Sequence, residues 1–497
     1  MAEYKVSLAK AQVNSYPTNP PFRPSVNYPE CPFHDYSEQP NKVYDLVRES
    51  FRLLRLDEEN FGSAKWNPLR NYVHPDNFVV LKPNLVLDIN RKDNNLDCMI
   101  THPSVVAAVL DYVVIALQGK GKIVVGDAPV QECDFDNLVN KTGYSSLIDY
   151  YKKTLPSSIS IDLKDFRGVK SVNEHGIKKY TDTGEKGVVV NLGEHSLFYG
   201  MPESKLSDLR ITNYDPNILK QHHNSKKQEY SINPDILKAD VIINMPKPKT
   251  HRKAGLTISL KNMIGANSRK EFLPHHTNGS LKDGGDCYKD KSFFKKMMNK
   301  CLDKLNFYSQ GQNKAAKAKI FYCLYRFFQI CSKIFDRKDK YFEGSWYGNN
   351  TINKTTIDVN RAILYADKNG VINSYGQRQR RMFIVADMIV SGEKEGPLSP
   401  SPKDVGIIAA GDNQVAFDSV ISKLAGIKPD YYNTLKEALK CDSELPLYNS
   451  DNFRVSSVSN YEPFNKMNYS DISPSDLLYF EPSSGWVDAF LTKPNGQ

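Results

Sequence analysis

The sequence predicts an α/β fold: mostly parallel sheets flanked by helices, with an inserted basic helical hairpin and a β-rich subdomain. Three observations carry that expectation. Short, unbroken apolar runs such as "NFVVL", "KIVV" and "ADVIIN" read as strands buried on both faces, as in a parallel sheet. Helical patterns stand between such runs, so the connections are crossovers. Hydrophobic residues make up 40% of the chain and there are 28 Tyr and 23 Phe, which gives a sizeable core and excludes a disordered polymer.

Taken in order, the first 40 residues are rich in Pro and Asn and are expected to drape over the core or form part of its edge. "NKVYDLVRESFRLL" sets Val43, Leu46, Val47 and Leu54 at helical spacing. "NFVVLKPN" is a strand stopped at Pro83, and "THPSVVAAVLDYVVIAL" is a helix that starts at Pro103 with Thr101 or His102 near its cap. "GKGKIVVGDAP" completes a right-handed βαβ unit. Another helix is expected over 134 to 153. From about 157 to 232 the pattern turns irregular, with β-type runs such as "GVVVNL" and "SLFYG" that suggest hairpins. "ADVIIN" restores the buried strand. After the basic segment come a helix ("TTIDVNRAILYA"), a strand ("RMFIVADMIV"), a Gly/Pro-rich loop ("SGEKEGPLSPSP"), a strand ("VGIIAAG") and a helix ("NQVAFDSVISKLAG"). The chain therefore divides into an N-terminal segment and helix (1–75), an α/β core with its β-rich insertion (76–288), the basic hairpin (289–340), and a second α/β part with a C-terminal tail (341–497).

The formal charge of +9 is local. Residues 289 to 340 hold 14 Lys or Arg and 4 Asp or Glu, a net of +10, so the rest of the chain sums to −1. This argues against a nucleic-acid-binding surface, and no nucleic-acid partner is expected. Within the segment, Phe294, Met297, Met298, Cys301 and Leu305 form one apolar stripe. Ile320, Leu324, Phe327, Phe328, Cys331, Ile334 and Phe335 form another, across a turn at "SQGQN". Such a hairpin either packs on the core or lies at a membrane surface through 291–338, held by apolar area and anionic headgroups. The N-terminus has no apolar secretory region and no run of about 18 apolar residues exists. The eight cysteines include no CxxC pair, which argues against an iron–sulfur cluster and fits a reducing compartment. The expected location is cytoplasmic, with a peripheral position at the inner face of the membrane as the variant.

In a parallel α/β sheet, ligands bind beyond the carboxyl ends of the strands. Lys82, Asn84, Thr101 and His102 would lie there after the first strand, and Asp127 and Gln131 after the second. Asn244, Lys247, Lys249, Thr250 and His251 would follow the third, and Asp412 and Asn413 the last. The stretch "NMPKPKTHRKAGLTISLKNMIG" is the densest of these, with Pro246 and Pro248 fixing where its lysines point. Lys82, Lys247 and Lys249, with Lys261 and Asn262, are expected to hold a phosphate or carboxylate. Lys249, crowded by cations, could instead lose its proton and act as a nucleophile. His251, or His275 and His276 in "FLPHHTNGSLKDGGDCY", would supply acid–base chemistry. Asp127 and Asp286 would orient a histidine or bind a divalent cation, the one cofactor these residues suggest. Trp346 in "EGSWYGNNT" is either a platform for a sugar or a half-buried core residue. Each position alone also has a bland reading, a solvated lysine or a turn-capping aspartate; their recurrence at one end of successive strands is what unites them. GxGxxG, GxxxxGK[ST] and GxSxG are all absent.

"LKPNLV", "THPSVV", "VVGDAP", "NMPKPKTHRKAGLTISLKNMIG" and "AAGDNQVAFDSVISKLAG" resemble, in order, the motifs of the domain-of-unknown-function 362 family, from about residue 76 to 426. The resemblance implies the fold and the strand-end site, and assigns no reaction. Many members carry a ferredoxin-like cysteine module that this chain lacks, so no iron–sulfur cluster is expected. The order of elements also resembles the lactate racemase family, whose nickel-pincer cofactor is tethered to a lysine; Lys247 or Lys249 would sit near that position. The racemase histidine pattern has no clear counterpart, and the cofactor is not carried over. "LPHH…GGD" with "GSWYGN" resembles members associated with surface-polysaccharide gene sets, which implies a glycan or sugar-phosphate substrate. The expectation is an enzyme acting on an anionic small molecule or glycan intermediate. The alternative is a non-catalytic binding or scaffold protein of a glycan-assembly complex at a membrane surface.

Overall fold

The computed structural model describes residues 3–33, 35–174, 177–309, 315–337, 339–372, 376–440, 444–450 and 453–494. Ten strands make one large mixed sheet: β1 (Glu3–Lys10), β2 (Phe78–Pro83), β3 (Gly121–Asp127), β4 (Ile159–Asp165), β5 (Val241–Met245), β6 (Lys249–His251), β7 (Gly255–Thr257), β8 (Arg381–Glu395), β9 (Ser399–Gly411) and β10 (Arg454–Ser459). The spatial order is β10-β1-β9-β8-β5-β2-β3-β4, with the β6–β7 hairpin joined to β8. From β8 through β5, β2, β3 and β4 every pairing is parallel. The other part is mixed: β9 is antiparallel to β8 and to β1, and β1 is parallel to β10.

The helices that matter here are α1 (Lys42–Leu53), α2 (Pro103–Leu117), α3 (Phe135–Thr142), α4 (Tyr144–Thr154), the single turn α5 (Ser259–Asn262), α6 (Phe293–Ser309), α7 (Ala315–Phe335), α8 (Thr351–Tyr365) and α9 (Gln414–Ala425). Successive strand residues point to opposite faces. Val79, Leu81, Ile123 and Ile243 therefore meet α1 to α4, while Val80, Val124 and Ile242 meet α8 and α9. Both faces of the central strands are covered, which is why their sequences are apolar without alternation. α2 begins as expected: Pro103 is its first residue, and the His102 side chain accepts from Ser104 N.

Four features differ from the sequence reading. The helix expected over 134 to 153 is two, α3 and α4, parted at Gly143, whose φ of 89° breaks the run. β1, expected in a segment that drapes over the core or forms part of its edge, is a sheet strand between β9 and β10, one in from the edge. Residues 159–165, counted with the insertion, form the parallel edge strand β4; the remainder builds small antiparallel sheets, including Val188–Asn191 on Lys227–Ile232. The Gly/Pro-rich stretch after "RMFIVADMIV" is not a loop between parallel strands. β8 and β9 run on through it as one long antiparallel ribbon, turning at 396–398. Hence β9 ends at the opposite edge of the sheet from β2 and β5. Asp412 lies there, bonded by the Tyr72 hydroxyl at 3.0 Å, and not on the rim with the lysines.

α6 and α7 form the expected hairpin, joined by ring contacts of Phe294 with Phe335 and Tyr308 with Phe321. The expected turn at 310–313 lies outside the described residues. No described helix is long and apolar enough to cross a membrane.

Candidate functional site

The chain leaves β2 toward β3 and β4, then returns on the other side of β2 as β5. Connections diverge from the carboxyl ends of β2 and β5, which opens a crevice at that point. A cavity of about 610 Å³ occupies it, lined among others by Asn84, Asp127, His251, Lys253, Lys261 and Asn262. Pro397 and Leu398, at the tip of the β8–β9 ribbon, close one side.

Two sequence motifs meet to build the cavity floor. The carboxylate of Asp418 in α9 accepts from Ser259 N at 2.9 Å and Leu260 N at 3.3 Å, which fixes the first turn of α5. Asn360 donates to Leu260 O at 2.9 Å and Asn244 to Ser259 O at 2.8 Å. Asn262 then donates to Asn244 Oδ1 at 2.8 Å and to Lys82 O at 3.2 Å. "GDNQVAFDSV" thus positions the turn that carries Lys261, and Asp418 is a capping residue whose carboxyl is pushed up to about 7 by burial.

Lys82 and Asp127 form a strut across the ends of β2 and β3. Lys82 Nζ lies 2.7 Å from Asp127 Oδ1, and Asp127 also accepts from Leu85 N at 2.7 Å and Ala128 N at 2.9 Å. Gly265 passes directly over this pair. A Cβ there would stand 2.1 Å from Asp127 Oδ1 and 2.8 Å from Lys82 Nζ, so the motif "KNMIG" needs glycine for close approach.

The charge of the lining is unbalanced. Glu132 is engaged by Arg91 at 2.9 Å and by Lys178, and Asp127 by Lys82. That leaves Arg252, Lys253, Lys261 and Lys270 facing Glu343, among the described residues. Lys253 Nζ donates to Thr212 Oγ1 at 2.8 Å and Lys270 Nζ to Pro129 O at 2.6 Å. Lys261 Nζ has no hydrogen-bond partner among the described residues. Burial holds Lys253 and Lys261 down to about 8 and Lys270 to about 7, with neighbouring cations adding to the effect.

Two histidines face the same space with opposite polarity. His251 Nδ1 accepts from Lys253 N and Ala254 N, both at 3.1 Å, so its ring proton is assigned to Nε2. His275 Nδ1 donates to Leu273 O at 2.6 Å, which leaves Nε2 as an acceptor. Burial, then neighbouring cations, holds both well below the ordinary histidine range, so both rings are neutral near pH 7. The cavity therefore offers one imidazole donor and one imidazole acceptor beside a cationic floor.

The other expected site residues are distributed as follows. Asn84 lines the cavity and accepts from Lys249 Nζ. Lys249 is fully buried; among the described residues its amine's one other hydrogen bond is to the Lys247 carbonyl at 3.1 Å, and burial holds it well below the ordinary lysine range. Lys247 points elsewhere: Nζ lies 2.8 Å from Asp387 Oδ2 and donates to the Tyr16 hydroxyl. His102 stacks on Tyr16 at 4.2 Å as part of that buried cluster. Trp346 is in the core, its indole N–H donating to Asp286 O at 2.9 Å. Asp286 accepts from Thr277 N, Asn350 N, Thr351 N and Thr351 Oγ1, and so starts α8. Asp127 and Asp286 thus sit in separate hydrogen-bond networks. Among the described residues, no three His, Cys, Asp or Glu side chains gather to hold a metal ion. His276 is buried in a short bridge with Arg210, outside the cavity lining.

The sequence reading did not assign site roles to Lys253, Lys270, Thr212, Tyr16 or Asp387. Lys253 sat in plain view within the basic turn. Asp387 carried a signal too: a lone charge inside "FIVADMIV" must find a partner when that strand is buried.

Fold and cavity together define a doubly wound α/β protein with a cation-lined pocket at its topological switch point. The model of a domain of unknown function (DUF362) matches residues 79–192 and 180–423, and the chain belongs to that family. No curated protein and no solved structure matches the chain, and nothing extends the likeness to lactate racemases.

Proposed function

We propose that the switch-point cavity is the active site of an enzyme acting on an anionic substrate, a phosphate- or carboxylate-bearing molecule. The observation that carries this reading is the lining itself, where buried Lys253 and Lys261, with Lys270 and the exposed Arg252, face Glu343, and Lys261 has no hydrogen-bond partner among the described residues. Burying like charges together costs free energy unless an anion joins them. In this reading Lys253, Lys261 and Lys270 grip the anion, while Lys82 and Lys249 hold the walls through Asp127 and Asn84. His275 Nε2 is the base and His251 Nε2–H the donor toward a developing negative charge. A sugar phosphate or other glycan intermediate, in surface-polysaccharide metabolism, is the substrate class we favour, in a cytoplasmic protein. A second reading, a non-catalytic scaffold at a membrane surface, is favoured by the exposed apolar stripe of α7.

The pH dependence of binding tests the clamp. An anion binds the protonated lysines, whose free values lie at about 7 and about 8. Affinity for inorganic pyrophosphate, followed by calorimetry and corrected for the ligand's own protonation, should be flat below pH about 7 and fall steeply above pH about 8. Affinity that is constant across this range, or rises with pH, would remove the lysines from the site.

A further inference from the structure

The second helix of the basic hairpin turns an apolar face outward. Ile320, Leu324, Phe327, Ile330 and Ile334 follow at steps of three or four, so they share one side of α7. All are exposed, Ile320 and Phe327 by 58% each. α6 covers the other side through the Tyr308–Phe321 and Phe294–Phe335 contacts. α7 carries four basic residues, Lys317, Lys319, Arg326 and Lys333, all exposed, and no acidic residue. A 21-residue helix is roughly 32 Å long, but this one is not apolar enough to cross a bilayer. An apolar face with cationic flanks fits a helix that lies in the plane of an anionic membrane interface.

The hairpin is rooted on the cavity wall. Asn306 of α6 donates to Thr212 O at 2.9 Å, and the Arg210 guanidinium lies 2.9 Å from Asp303. Thr212 lines the cavity and receives Lys253 Nζ. Tyr325 of α7 is close enough to Glu343 and Arg252, both cavity residues, to feel their charges. The hairpin that carries the α7 stripe is thus joined to the anion site through Thr212.

We propose that α7 docks on an anionic bilayer and that the anion taken by the cavity is the phosphate headgroup of a lipid carried in that bilayer. This rests on the anion-binding reading above, and the experiment separates the two. Flotation with phosphatidylcholine vesicles, with and without phosphatidylglycerol, reads the docking. The protein should partition only to the anionic vesicles, and F327S/I330S should weaken partition about tenfold or more. Both side chains are exposed, so the fold is retained. Failure of the wild type to partition, equal partition of the double variant, or a wild-type dimer that the double variant splits into monomers would each overturn the docking.

A second arm replaces phosphatidylglycerol by phosphatidic acid at matched surface charge, which presents a phosphomonoester. The wild type should prefer phosphatidic acid, and Lys261→Ala should lose that preference while still partitioning. Pyrophosphate binding that depends on Lys261, without any preference for phosphatidic acid, would overturn the lipid substrate and leave the anion site standing. Absence of binding to both phosphates would remove the anion site, and this inference with it.

Discussion

Lys261→Ala is expected to weaken binding of inorganic pyrophosphate roughly 10- to 100-fold, the range for one charge-assisted contact in a desolvated site. Lys261 is 8% exposed and points into the cavity from a turn held by Asp418, Asn360 and Asn262. Its ammonium makes no hydrogen bond among the described residues, so its removal orphans no donor or acceptor. Thermal unfolding of the variant without ligand should therefore be unchanged or slightly improved, since a buried cation among cations has been deleted. A calorimetric titration reads the loss directly. Wild-type affinity in the variant would mean that the anion sits elsewhere or that Lys253 and Lys270 suffice.

Asp387→Ala is expected to destabilise the protein by about 3–5 kcal/mol, the usual cost of stripping one partner from a buried ion pair. Both side chains of the pair with Lys247 are fully buried. Asp387 also accepts from the Tyr16 hydroxyl at 2.6 Å and from His102 N at 2.9 Å. The truncation leaves an ammonium, a phenol and a backbone amide unsatisfied at once. The double variant K247M/D387L should recover much of the loss, because a well-packed apolar pair removes the stranded charge as well. Urea unfolding separates the two. A single-variant loss below about 1 kcal/mol would mean that water reaches the cluster.

These two lysines illustrate what the sequence could and could not reveal. Lys247 and Lys261 both belong to the basic stretch after β5, and both were expected to hold the anion. Their roles diverge because of residues far away in the chain. Lys247 meets Asp387 and Tyr16, 140 and 231 positions distant, and is neutralised in the core. Lys261 meets no carboxylate among the described residues, which leaves its amine for a ligand. Local pattern places a lysine at a strand end; only the tertiary pairing says whether its charge is free.

The fold was legible where burial dictates sequence. β2, β3 and β5 are covered on both faces, so they read as unbroken apolar runs, and α2 carried its proline start. β8 and β9 misled because their distal halves pair mainly with each other and with β6, so they tolerate Pro400 and Pro402 where a central strand would not. Their antiparallel return is what carries Asp412 to the far edge. β1 was missed because only Val6 to Ala9 within it are buried without a break, too short a run to stand out. The histidines were legible as residues but not as a pair. The opposite tautomers of His251 and His275 follow from backbone partners, Lys253 N and Leu273 O, that no spacing rule exposes.

The central claim is that depressed lysines in the switch-point cavity take up protons as they take up an anion. Calorimetry of inorganic pyrophosphate binding at pH 8, repeated in two buffers of different ionisation enthalpy, measures this directly. With Lys253 and Lys261 at about 8 and Lys270 at about 7, the account predicts uptake of roughly one to two protons by the protein per anion bound, once the proton pyrophosphate itself exchanges is subtracted. The uptake should shrink in Lys261→Ala. Binding without proton uptake, or no binding heat in either buffer, would contradict it.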